Sequence, residues 1–327
     1  MTRTIGRRAF LRLAAGASTI ALPHIARAQS YPNRIVRIVV GFPPGGGADA
    51  ISRILANRFS EIWGQQVIVE NKPGAGSNLA LETVANATPD GYTIIMSVRA
   101  PALSRYLFGT LGYDPDSFVP VSRIGTYAHL FVVPKDSKPQ SMAEFIANAK
   151  ANPGQVTFAT PGVGTPSHLT AEHLKIKAGF NMTHVPYRGV AAGAMQDLIA
   201  GRIDAMMNTT GSLLQSVRSG QVRGLAISAA KRTALAPEFP TMQEQGVEGF
   251  DITSWYGLFM PGKTPPEIVE KINADMVTML AEPAMKERLA PLGIEAASSS
   301  PQELAMAAKA ETELWGDVIQ KSGIRSE

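Results

Sequence analysis

Ile35-Val36-Arg37-Ile38-Val39-Val40 runs straight into Gly41-Phe42-Pro43-Pro44-Gly45-Gly46-Gly47-Ala48-Asp49. The first six residues are mostly β-branched and apolar, the pattern of a short strand buried in a parallel sheet. Beyond the glycines, Ile51, Ile54, Leu55, Phe59 and Ile62 fall on one face of a helix. Asp49 stands where the N-cap of that helix is expected. A strand, a glycine-rich turn and a helix start present unpaired backbone N–H groups and the positive end of a helix dipole. An anion fits there with no cationic side chain required. A plain strand-to-helix turn carries one or two glycines, whereas three in a row after two prolines favour a ligand loop.

The arrangement repeats outward from this point. Gln66–Glu70 is a second strand, Asn71-Lys72-Pro73-Gly74-Ala75-Gly76-Ser77-Asn78 a second glycine loop, and Asn78 is placed to cap a helix carrying Leu79, Leu81 and Val84. Pro89-Asp90-Gly91 turns the chain into a third strand, Thr93–Val98. This order specifies a parallel sheet with helices on both faces and a ligand edge beyond the carboxyl ends of its strands. Both glycine loops and Ser97-Val98-Arg99 lie on that edge. A competing reading is a dinucleotide fingerprint, Gly45-x-Gly47-x-x-Ala50 with Glu70 as the ribose acid. Phe42-Pro43-Pro44 weighs against it, because that fingerprint needs its tight turn directly off the strand.

The later half follows the same logic. His129–Pro134 is an apolar strand, and Ser254–Pro261 looks like its counterpart. Between them, Ser141-Met142-Ala143-Glu144 is a capping box. Val156–Thr160 is a strand and Pro161-Gly162-Val163-Gly164-Thr165-Pro166 a third glycine loop, with Ser167 as the expected cap of the next helix. Thr183–Pro186, Ile203–Met207 and Val222–Ile227 supply three more strands. Two passages between two α/β units imply a hinged clamshell with its ligand in the cleft. Residues 29–128 and 260–327 form one lobe, and 129–259 the other, hinge strands included.

Residues 1–28 read as an export signal rather than as fold. Gly6-Arg7-Arg8-Ala9-Phe10-Leu11-Arg12 has twin-arginine form, Leu13–Leu22 is an apolar stretch too short for a permanent span, and Ala26-Arg27-Ala28 is a small-x-small cleavage site. The chain carries 31 Lys+Arg and 27 Asp+Glu, net +4, but five of the arginines and none of the acids lie in this segment. Residues 29–327 therefore hold 26 cations against 27 acids, net −1, and nothing basic remains to suggest nucleic acid or a membrane surface. There is no cysteine, hence no disulfide or thiolate metal site. Histidines 129, 168, 173 and 184 lack metal-ligand spacing within one element.

Taken together, Phe42–Asp49, Glu70-Asn71-Lys72-Pro73-Gly74-Ala75-Gly76, Pro89-Asp90-Gly91-Tyr92-Thr93, Tyr113-Asp114-Pro115, His184-Val185-Pro186-Tyr187-Arg188-Gly189 and Gly201-Arg202-Ile203-Asp204 resemble the substrate-binding receptors of tripartite tricarboxylate transporters, the Bug family. The resemblance covers essentially all of 29–327. It implies a type II periplasmic-binding-protein fold, capture of a small carboxylate largely by backbone amides and water, and delivery to membrane permease subunits, or in some cases to a sensor protein. The candidate ligand set is then Phe42, Pro44, Gly45, Gly46, Gly47, Ala48 and Asp49 on the first loop, Gly76, Ser77 and Asn78 on the second, and Gly162, Gly164 and Thr165 on the third. Arg99 and Arg105 are departures: relatives commonly carry small hydroxyl residues after the third strand. Arg99 is a candidate bidentate clamp for a second carboxylate, the alternatives being an interdomain salt bridge or a solvated arginine. Tyr187 and Arg188 would face it from the other lobe, with a surface arginine as the alternative for Arg188. His168 is a candidate donor or simply an exposed helix-start histidine. Asp204 is read as a buried carboxylate that needs a partner, a ligand hydroxyl, amine or water, or else a helix to cap, and Trp255 as a lining or core aromatic. Ser167 and His168 do not face each other on a helix, and no Gly-x-Ser-x-Gly elbow occurs. The expectation is a monomeric, cofactor-free binding protein without metal or catalysis.

Overall fold

The computed structural model describes residues 31–187 and 193–325, so the segment read as a twin-arginine signal and Arg188 lie outside the described residues. The first part of the chain forms β1 (Val36–Val40), α1 (Gly47–Trp63), β2 (Val67–Asn71), α2 (Asn78–Ala85), β3 (Thr93–Ser97) and a single turn, α3 (Ser104–Leu107). β1 pairs in parallel with β2 and β3, Val36 opposite Val67 and Ile38 opposite Ile94. Val36, Ile38, Val39 and Val40 have no exposed surface, as a strand covered on both faces requires. α1 buries Ile51, Leu55 and Phe59, while Ile62 in its last turn stays exposed.

β4 (Val119–Pro134) begins ten residues before the expected strand at His129. Pro120 and Gly125 disguise the early part, and both sit where its register against the neighbouring strand shifts. After it come α4 (Met142–Ala151), β5 (Thr157–Thr160), α5 (Pro166–Ala178), β6 (Thr183–Pro186), α6 (Ala194–Ile199), β7 (Ala205–Thr209), α7 (Thr210–Arg218) and β8 (Val222–Ile227). The chain closes with β9 (Thr253–Met260), α8 (Pro266–Ala281), α9 (Pro283–Leu289), β10 (Glu295–Ala296) and α10 (Pro301–Ser322).

The strands run in the order β2-β1-β3-β9-β4-β7-β5-β6, with β8 and β10 also paired to β4. β9 is antiparallel to both β3 and β4, and β7 is antiparallel to β4. The two parallel sets, β1–β3 and β5–β7, therefore point towards each other along the sheet. Ser97, ending β3, is opposite Gly257, which is opposite Arg123 of β4; Thr209, ending β7, is opposite His129 of the same strand. Both carboxyl edges converge on residues 123–129 of β4, and the glycine loops follow those edges. Among the described residues no helix is long and apolar enough to cross a membrane.

Candidate ligand-binding site

Asp49 does not cap α1. The helix starts two residues earlier, with Gly46 at the cap position, because the Asp49 carboxylate is turned back into the loop. It accepts from Gly45 N at 3.0 Å, Arg53 Nε at 2.9 Å and Asn71 Nδ2 at 2.9 Å, while Asn71 also reaches Phe42 O. Burial alone raises a carboxyl's pKa, but these donors outweigh it and hold Asp49 below the usual carboxylate range. Asp49 is thus a clamp on the turn and not a free acid in the cleft. Gly45 takes the left-handed backbone (φ 83°) that lets the loop fold over it. The N–H groups of Gly46, Gly47 and Ala48 make no hydrogen bond among the described residues, and all three precede or open the helix. Phe42 is half-buried, whereas Pro44 and the glycines are exposed.

The second loop is conformationally demanding. Gly74, Ala75, Gly76 and Ser77 all have positive φ (141°, 44°, 54° and 79°), and two of them are not glycine. Asn78 opens α2 without capping it; its Oδ1 instead accepts from Tyr113 Oη at 2.6 Å. Ser77 is buried against Gly41, where a Cβ would fall 1.7 Å from Ser77 Oγ, and a Cβ on Gly76 would stand 2.9 Å from Val163 O. The second loop therefore touches both the first and the third, and glycine is what permits each approach.

Among the described residues, Arg99 is neither a solvated side chain nor an ion-paired one. It is 1% exposed. Its guanidinium donates to Ala100 O, Ser104 Oγ and, at 3.5 Å, Gly76 O, and its Nε has no partner. Burial pushes its pKa down, against the pull of Tyr113 and Glu311. Arg105 is exposed and pairs with Asp116, and both line an open cavity of about 350 Å³ together with Phe118 and Lys309.

In the third loop the cap of α5 is Thr165, not Ser167: Thr165 Oγ1 accepts from His168 N, and Pro166 takes the first helical position. Gly162 and Gly164 both have positive φ. His168 is 3% exposed and faces inward. Its Nδ1 accepts from Gly164 N at 3.1 Å, which places its proton on Nε2 towards Glu172, and its ring stacks on His184 at 3.8 Å. It shapes the loop rather than offering a donor to a ligand. His184 binds Thr160 Oγ1 at 2.7 Å, and burial, with the neighbouring His168, lowers its pKa to about 3.

Ser167 Oγ lies 3.2 Å from His129 Nδ1, a pairing of residues distant in sequence. The other ring nitrogen of His129 faces Ser254 Oγ at 2.9 Å, so no carboxylate orients it, and burial takes its pKa down to about 3. A histidine so hard to protonate is a poor general base for Ser167. What the contact does is tie α5 to both strands that link the halves, since His129 is on β4 and Ser254 on β9. These residues, with Tyr256, whose hydroxyl lies 4.0 Å from a Cβ placed on Gly47, carry no motif of their own and surface only through the pairing of β4, β7 and β9.

Asp204 is a correction. It is exposed and precedes β7, at the amino edge of the strands, where its carboxylate accepts from Thr157 N and Oγ1, both at 2.8 Å. It anchors β5 to β7 on the side away from the glycine loops. Tyr187 does lie on the carboxyl edge, its carbonyl 3.4 Å from a Cβ on Gly162, but its hydroxyl is held by Asp197 at 2.6 Å. Trp255 is a core residue, 6% exposed. Glu70 faces Arg37 and Lys72 at 3.5 and 3.3 Å, which engages the acid that a dinucleotide reading would assign to a ribose.

A family model described as tripartite tricarboxylate transporter family receptor matches residues 51–324. The chain belongs to that family. A UPF0065 protein from Pseudomonas sp. is 38% identical over 317 residues, covering 96% of this chain and 94% of that one. Among solved structures, the periplasmic binding protein BugD superposes with a TM-score of 0.81 at 32% identity, over 90% of this chain and all of BugD. An R. palustris protein solved with adipate superposes with a TM-score of 0.83 at 32% identity, over 90% of this chain and 99% of that one. The receptor fold and the Bug-type resemblance agree with the converging glycine loops, and the dinucleotide alternative has no support from them.

Proposed function

We propose that this receptor captures a small dicarboxylate in the periplasm and presents it to the membrane subunits of a tripartite carboxylate transporter. The observation that carries the reading is the row of N–H groups at Gly46, Gly47 and Ala48, unengaged among the described residues, at the positive end of α1, on a loop packed against the second glycine loop, which itself abuts the third. The charge of Asp49, on the same loop, is offset by its ion pair with Arg53. The adipate in the R. palustris relative supports the ligand class. Residues 29–128 with 260–327, and 129–259, act as two lobes that close on the ligand about β4 and β9. The twin-arginine segment directs export of the folded chain.

A thermal-shift series tests this with the mature chain, stripped of ligand, against adipate, malate, citrate, benzoate and NADP. Ligands that bind only the folded state raise the melting temperature by mass action, about 2.7 kcal/mol at a hundred times Kd. Stabilisation by di- or tricarboxylates is expected. A shift with NADP and none with any carboxylate overturns the reading.

A further inference from the structure

Arg99 is a large side chain with essentially no exposed surface, yet its guanidinium has only neutral oxygens around it: Ala100 O, Ser104 Oγ and Gly76 O. Its Nε has no partner, and among the described residues no carboxylate is within ion-pair range. A buried charge is costly unless an opposite charge compensates it. Glu311 of α10 acts on it electrostatically, but its carboxylate is engaged elsewhere, accepting from Ala100 N at 2.7 Å and Trp315 Nε1 at 3.3 Å. The position of the cation is specific. Gly76 O faces Arg99, and the same glycine abuts Val163 O of the third loop, so the guanidinium lies one glycine behind the surface where the loops meet. Ser104, which Arg99 binds, and Tyr113, which binds Asn78, complete a polar brace under the second loop.

We propose that Arg99 is a specificity-determining residue of this receptor: a cation held behind the Gly74–Ser77 turn without an ion-pair partner among the described residues and only partly offset by Glu311, which selects carboxylates over neutral isosteres of the same shape without touching them. This rests on the proposed function above. In a low-dielectric interior such a field is far stronger than in water and is little screened by salt. The backbone donors of the glycine loops can serve an amide oxygen as well as a carboxylate oxygen, and Arg99 adds to the charge discrimination that the helix start supplies.

The experiment titrates the mature protein calorimetrically at pH 8 with adipate and with its neutral diamide, adipamide, alongside malate and citrate, and compares the ratio of acid to amide affinity. In the wild type this ratio is large. Arg99→Met lowers it by about tenfold or more, Arg99→Lys restores most of it, and Glu311→Gln, which removes the negative charge acting on Arg99, raises it. The Glu311 variant keeps the test informative should Arg99→Met fold poorly, since a purely structural arginine gives no reason for the ratio to rise. An unchanged ratio in both Arg99→Met and Glu311→Gln overturns the proposal while leaving the receptor reading intact. A wild type that binds none of the carboxylates overturns both.

Discussion

At the scale of single residues, glycine does two different jobs in the same loop, and substitutions separate them. A Cβ on Gly46 meets only Pro43 O, at 3.7 Å, and the backbone there (φ −82°) suits any residue. Gly46→Val is therefore expected to leave the melting temperature within about a degree or two, since surface changes are usually worth less than about 0.5 kcal/mol. Its side chain stands in front of the free N–H groups, so affinity for adipate and malate falls together. Gly41 is the contrast. A Cβ there would lie 1.7 Å from Ser77 Oγ and 2.8 Å from Ser77 Cα, so Gly41→Ala must push the second loop away and costs on the order of 1–3 kcal/mol of stability. Denaturant melts of the two variants decide this. Equal stabilities would show that the loops are not packed as described. Asp49 and Asn78 teach the same lesson from the polar side. Each looks like a ligand group in sequence, and each is engaged in holding a loop, Asp49 together with Asn71.

At the scale of elements, α10 docks its Glu311 onto the turn after β3, accepting from Ala100 N. Burial raises that carboxyl to about 7, against the pull of Ala100 N, Trp315 and Arg99. The unfolded chain releases the proton near the ordinary value of 4.5, the folded chain only near 7. Between those limits the folded state binds more protons, so this group's contribution to stability falls as pH rises from 4.5 to 7 and is flat above. The total is roughly 3 kcal/mol at 1.36 kcal/mol per unit. Glu311→Gln is expected to match the wild type near pH 4 and to exceed it progressively up to pH 8 in urea melts. Parallel stability profiles for the two proteins would mean that Glu311 ionises normally and that α10 is not docked through a strained carboxylate. The element scale also explains the cap corrections. Ser167 is the more obvious cap by type, but its hydroxyl is drawn to His129 and Asn208, which leaves Thr165 to start α5.

At the scale of the whole molecule, β4 pairs with β9 in one half of the sheet and with β7 and β8 in the other, and His129 fastens α5 to β4 and β9 through Ser167 and Ser254. If the halves close about these strands, the ligand supplies the contacts that hold them shut. Small-angle scattering of stripped protein is expected to show a larger radius of gyration than the same protein saturated with adipate. Identical profiles at saturation would argue against hinge closure. The turn after β3 belongs to this scale as well, because Leu107 of α3 lies against Gly164 while Arg99 lies against Gly76. One short segment thus contacts loops from both sets of strands.

What the sequence by itself determined was local and periodic. β-branched runs marked β1, β2, β3 and β5, and the three glycine loops lay after strands, because side-chain alternation and backbone freedom are written residue by residue. The family was legible in those loops together. What only the tertiary structure decided was where polar side chains point and which charges have partners. Asp204 reads as buried, yet its place before β7 puts it on the amino edge and in water. Arg99 reads as a cleft residue, yet packing sealed it behind Gly76. The early half of β4 was hidden by Pro120 and Gly125 and is a strand because β9 supplies the ladder. In each case the outcome depends on neighbours distant in the chain, since burial and hydrogen bonding are properties of the assembled sheet and are not set by the residues on either side.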